Sequence, residues 1–137
     1  MESKAGYFSA ALVILLLVPR TVYPGALAGS EWQPVCIPGE VLPAKASAFV
    51  QFRSGGRLLG YTGCNRLMGE YRVDGERIHI GRLSSTRKAC GADVMQQEQT
   101  LIQALEKAHT FRRARTRLFL FDDDGLAIIE LRQTDWD

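Results

Sequence analysis

The sequence predicts a mainly β domain: an antiparallel, partly open β-barrel of about eight strands with one α-helix packed against it. Three observations carry that expectation. Short runs of alternating apolar and polar residues follow one another at hairpin spacing. Turn-forming clusters separate them at Ser54-Gly55-Gly56, Asp74-Gly75 and Asp122-Asp123-Asp124-Gly125. One stretch, residues 94–107, combines a helical apolar stripe with the absence of glycine and proline. Strand and helix units do not alternate, which argues against a parallel sheet.

The first residues are set aside before the fold is built. Lys4 precedes an apolar run over residues 7–18, and Ala26-Leu27-Ala28 is a small-x-small cleavage box. This reads as a secretory signal peptide over residues 1–28, leaving one domain of residues 29–137 with no room for a second. The apolar run is shorter than the roughly 20 residues that span a bilayer, so no transmembrane segment is expected in the mature chain. Cys36 follows Gln33-Pro34-Val35 and lies past the cleavage box, the wrong setting for lipid attachment. An exported, periplasmic protein that is not a lipoprotein is therefore expected, with its thiols in an oxidising compartment. The 17 basic and 15 acidic residues, net +2, are spread along the chain apart from Arg112, Arg113, Arg115 and Arg117. That balance gives no support to nucleic-acid binding.

In chain order, residues 32–37 make a first strand closed by Pro38-Gly39, with Pro34 tolerable only at an edge or a bulge. Residues 49–53 and 57–61 flank Ser54-Gly55-Gly56 as a hairpin, with Ala48, Val50 and Phe52 on one face. Gly60, Gly63 and Gly69 punctuate the next strands, as a sharply bent sheet requires. Residues 68–73 and 76–80 flank Asp74-Gly75. Tyr71 and Val73 share one face, Ile78 and Ile80 share one, and His79 points the other way. Asp93, with Gln96 three residues on, predicts a capped helix start. Leu101, Ile102, Leu105 and Ala108 form its stripe, with Val94 upstream, and Lys107 and His109 suit the helix C-terminus. Strands at 110–114, 118–121 and 126–131 complete the count.

Gly63-Cys64-Asn65-Arg66, then Gly69-Glu70-Tyr71, then Leu83-Ser84-Ser85-Thr86-Arg87-Lys88-Ala89-Cys90 resemble the META domain, the HslJ-like family of bacterial envelope proteins. Trp32 with Val35 and Ile37, Phe52 with Gly60, and Glu98 with Leu101 and Leu105 extend the resemblance over most of the mature chain. It implies a compact barrel with one helix, in exported or membrane-associated proteins linked in some members to heat shock and other stress responses, antibiotic resistance or secretion. It brings no catalytic residues with it. Members are often lipoproteins, whereas this chain lacks the lipid-attachment cysteine.

Cys64 and Cys90 are the expected disulfide, with either of them bonded to Cys36 as the alternative, and Cys36 is otherwise read as a buried free thiol. Glu98 lies on the apolar stripe of the helix, so its carboxylate needs a partner. The resemblance puts Asn65, Thr86 and Arg87 nearest to it, as a structural polar network. Arg66 and Arg87 are the candidate binding surface. The two histidines are 30 residues apart without ligand-spaced neighbours, and the Asp122–Asp124 run lacks the glycine and glutamate spacing of a calcium loop, so no metal and no cofactor are expected. No phosphate-binding loop or serine-nucleophile motif occurs. The chain is thus expected to be a noncatalytic, monomeric binding or structural module whose partner is an envelope protein or lipid. The alternative is a hydrolase inhibitor acting through the loop that carries Ser84, Arg87 and Lys88.

Overall fold

The computed structural model describes residues 27–39 and 47–134; the expected leader up to residue 26, residues 40–46 and residues 135–137 lie outside that range. The described elements are β1 Ser30–Cys36, β2 Phe49–Arg53, β3 Arg57–Tyr61, β4 Arg66–Asp74, β5 Arg77–Ile80, β6 Ser84–Ser85, helix α1 Ala92–Lys107, β7 Thr110–Ala114, β8 Arg117–Phe121 and β9 Ala127–Gln133. The strands pair in the order β3-β2-β1-β9-β8-β7-β5-β4, and β4 pairs back onto β3, giving an antiparallel ring. β6 continues the line of β5 along β4: Ile80 faces Tyr71, and Ser84 faces Met68. The ring therefore has eight positions, and the ninth strand is the far half of the fifth, interrupted at Gly81-Arg82-Leu83.

The ring is thinnest between β5 and β7. Only Arg77 and Thr110 are in register there, supported by the N–H of Ile78 on the His109 carbonyl and the N–H of Phe111 on the Glu76 carbonyl. Helix α1 packs against β5 and β9. The Asp74-Gly75 turn and the Ser54-Gly55-Gly56 turn set the registers expected of them, with Val73 opposite Ile78 and Phe52 opposite Leu58.

The period of two sorts the strand residues cleanly. Trp32, Val50, Phe52, Leu58, Leu67, Tyr71, Ile78, Ile80, Leu118, Leu120, Ile129 and Leu131 point inward and are buried with Leu101, Ala104 and Leu105 of α1. Each such aliphatic side chain contributes about 1.5–3 kcal/mol on leaving water. Phe52 and Tyr71 meet edge to face at 5.0 Å between centroids, and the Tyr71 hydroxyl donates to the Arg53 carbonyl at 2.8 Å. Burial pushes the Tyr71 phenol above its ordinary value of 10.0. The native state thus holds that proton more tightly, and this contribution to stability is lost as pH rises above about 10. Gly60 occupies an inward position where a Cβ would lie 2.8 Å from the Phe49 carbonyl oxygen, so the bend of β3 over β2 requires glycine.

Two local expectations are corrected. Cys36 is exposed, not buried. The β1–β9 register shifts between Pro34 and Cys36, and this bulge reverses the side-chain parity, putting Ile37 into the core instead. Helix α1 starts two residues earlier than the Asp93 cap predicts: Gly91 is the N-cap, without a side-chain hydrogen bond, and Asp93 sits inside the first turn. There its charge still opposes the helix dipole favourably. The arginine-rich tail divides into β7 and β8 as expected, with Arg115 at a positive φ of 56° in the turn between them.

Leu27 is buried to 1% exposure in the core, with its carbonyl accepting from the Ser30 N–H and hydroxyl. Cleavage after Ala28 would remove it. A chain beginning at Gly29 is expected to be less stable than one beginning at residue 25 by about 2–4 kcal/mol, the range for losing a buried leucine. Urea unfolding of the two chains measures this, and equal midpoints would contradict the core role of Leu27.

Candidate functional site

The Gly63-Cys64-Asn65 knot links β3 to β4, and its geometry starts from Thr62, which is fully buried. The Thr62 hydroxyl oxygen accepts from the N–H groups of Cys64 at 3.2 Å and Asn65 at 2.9 Å, while the Thr62 N–H donates to the Asn65 carbonyl at 2.9 Å. This is a turn closed by a side chain acting in place of backbone. Gly63 has a φ of 99°, which a β-carbon would oppose.

Asn65 carries the next connection. Its carbonyl oxygen accepts from the Lys88 N–H at 2.7 Å and the Thr86 hydroxyl at 2.9 Å, and its amide nitrogen donates to the Lys88 carbonyl at 3.2 Å. Thr86 also accepts from the Arg66 N–H at 3.0 Å. Cys64 and Cys90 are bonded, with their Cα atoms 6.2 Å apart, closing the same loop covalently. The Thr62 hydroxyl finally donates to Glu98 of α1 at 2.8 Å, tying knot, loop and helix into one unit.

Glu98 is buried at 5% exposure beside Leu101 and Leu105. Its hydrogen-bond partner is Thr62 rather than Asn65, Thr86 or Arg87, so the loop is reached through the knot and not directly. Thr62 escapes a reading of the sequence because it stands one residue outside the Gly-Cys-Asn motif; a hydroxyl two residues before the Cys64 N–H is the signal that marks it. Arg87 is exposed and outside the network. Among the described residues, no histidine and no second carboxylate hydrogen-bonds to Glu98. Ser84 donates to the Met68 carbonyl at 3.2 Å.

The outer face of β2–β5 is chemically different. By parity it presents Phe49, Gln51 and Arg53, then Arg57, Leu59 and Tyr61, then Arg66, Met68, Glu70, Arg72 and Asp74, then Arg77 and His79. Two open grooves of about 590 and 450 Å³ meet on it, sharing Arg72 and His79. The first also takes in Arg77 and His109, the second Glu70 and Tyr71. The tail arginines behave otherwise: Arg113 stacks over Trp32 at 5.1 Å and bonds Gln133, and Arg117 pairs with Glu130 and lies over Phe119. Asp122, Asp123 and Asp124 are close together at the β8–β9 turn, where the Asp122 carboxylate accepts from the N–H groups of Asp124 and Leu126.

Fold and site together define a small barrel-and-helix domain whose most conspicuous polar cluster is a fastening. The META domain family model matches residues 25–135, and the chain belongs to that family. An NMR structure of a protein from Burkholderia xenovorans is similar, with 23% identity and a TM-score of 0.65, over 88% of this chain and 94% of the other. The crystal structure of a DUF4847 family protein from Bacteroides vulgatus is similar with 15% identity and a TM-score of 0.62, over 82% and 97%. These likenesses establish the fold alone. No curated protein matches the chain.

The disulfide closes a 26-residue separation, worth about 3.5 kcal/mol on the chain-entropy account. Alkylation of the native, unreduced protein followed by intact-mass measurement should label one thiol, Cys36, and reduction should release two more. Three labelled thiols without reduction would contradict the pairing, and a loss of about 3 kcal/mol is expected for Cys64→Ala/Cys90→Ala in urea unfolding.

Proposed function

We propose that this META domain is a noncatalytic, exported module of the bacterial envelope that acts by binding. One observation carries the reading: the polar side chains of the motif cluster are used up on one another. Both ends of the Asn65 amide, the Thr62 hydroxyl and the Thr86 hydroxyl all serve the fastening. A reacting site keeps a nucleophile, base or acid available to a substrate; this cluster spends them on holding a loop. Export is supported by the leader pattern and by a disulfide of a kind that persists in oxidising compartments. No helix among the described residues is long and apolar enough to cross a membrane.

A second reading has a specific observation behind it. The loop with Ser84, Thr86, Arg87 and Lys88 is exposed yet anchored by Asn65 and the disulfide, and a pre-ordered loop loses little entropy on entering a cleft. Inhibition of a periplasmic hydrolase through this loop is the alternative use of the same fastening.

Osmotic-shock fractionation of cells expressing the full chain, with thiol trapping of each fraction, tests the principal reading. The protein should appear in the periplasmic fraction with Cys64 and Cys90 oxidised. Retention in the cytoplasm with three reduced thiols would contradict it. Replacing Arg87 and Lys88 by alanine should leave envelope binding intact on the first reading and abolish capture of a stoichiometric hydrolase on the second.

A further inference from the structure

We infer that the outer face of β2–β5 is a docking surface for an anionic lipid membrane, whose headgroup phosphates seat against unpaired arginines. The inference rests on the binding-module reading and supplies its partner. Charge is strongly partitioned within the domain. Residues 49–91 hold eight Arg and Lys against three Asp and Glu, net +5, whereas the rest of residues 27–137 is net −4. The strands then gather the positive half onto one side: Arg53, Arg57, Arg66, Arg72 and Arg77 are all exposed at outward positions.

The register leaves this charge only partly balanced within the fold. Arg53 stands directly opposite Arg57, while Arg57 also faces Glu70 and Arg77 faces Asp74 across the neighbouring strands. Like charges in opposed positions destabilise a sheet, and Glu70 and Asp74 leave Arg53, Arg66 and Arg72 without a directly opposed acid. Among the described residues none of these five arginines makes a side-chain hydrogen bond or ion pair, in contrast to Arg113 and Arg117 of the tail. External anions are what the arrangement fits.

Two features select a membrane over a folded acidic protein or nucleic acid. The face is the convex outside of a ring, which meets a broad flat surface better than a protruding partner. Apolar side chains stand among the arginines: Leu59 opposite Met68, which is 47% exposed, and Phe49 opposite Tyr61, with rings 6.2 Å apart. Arginine beside aromatic and aliphatic groups suits the headgroup boundary, where both find a medium. The two grooves at Arg72 and His79 give headgroup phosphates a place to sit.

The test is co-sedimentation of the full-length chain with phosphatidylcholine vesicles, without and with phosphatidylglycerol. Every variant shares the leader, and the neutral vesicles measure its contribution separately. Binding should rise with anionic lipid and fall with salt. Arg57→Gln/Arg72→Gln should lower the anionic partition coefficient about 30-fold, from about 1 kcal/mol for each basic residue at the surface. Arg66→Gln/Arg77→Gln should do the same, and serves as the second pair should the first unfold. Arg112→Gln/Arg115→Gln should change it less than threefold. Equal binding to neutral and anionic vesicles, equal losses for the tail pair, or binding of DNA or polyglutamate without vesicle binding would each overturn the inference. Because purified protein and defined vesicles are used, a wrong cellular location would not alter the outcome, and fractionation reports that failure separately.

Discussion

A carboxylate on the apolar stripe of a helix is the constraint from which the site is organised. Glu98 leaves water together with Leu101 and Leu105, and without a donor that would cost several kcal/mol. Thr62 supplies the donor, and the same hydroxyl oxygen accepts two backbone N–H groups of the knot between β3 and β4. One buried hydroxyl thus satisfies the helix and shapes the turn together. The turn then presents Asn65 to the loop before α1, and the disulfide makes that approach permanent.

This arrangement explains why a motif rich in polar and sulfur atoms is structural. In the loop from β6 to α1, the Lys88 N–H and carbonyl have Asn65 as their partner. Asn65 accepts and donates there in the way a neighbouring strand would. Fastening the loop also fixes β6 on β4, which extends the wall carrying the outward arginines. Interior order and exterior chemistry are therefore linked through β4: Leu67 and Tyr71 face the core, while Arg66, Met68 and Arg72 face out.

Much of this was legible in the residues. Asp74-Gly75 and Gly55-Gly56 specify turns whose flanking alternation fixes strand faces, and the stripe through Leu101 and Leu105 specifies the helix. The pairing of Cys64 with Cys90 and the burial of Glu98 also follow from positions in the sequence and the resemblance. What was not legible depends on tertiary geometry. A bulge beside Pro34 turned Cys36 outward. The partner of Glu98 lay 36 residues away in Thr62, an unmarked residue. The basic face was invisible because its arginines are dispersed along the chain and gather only when β2–β5 are placed side by side.

The central claim is that Thr62 and Glu98 act as one unit, and a double-mutant cycle measures that directly. Urea unfolding of the parent, Thr62→Val, Glu98→Leu and the double variant gives the coupling energy between the two positions. Stranding the buried carboxylate makes Thr62→Val costly alone, by about 1–3 kcal/mol or more, while the double variant removes the charge as well. A coupling of about 1–2 kcal/mol is expected. Single-variant effects that add to within about 0.5 kcal/mol would show that the two residues are independent and that the fastening does not run through them.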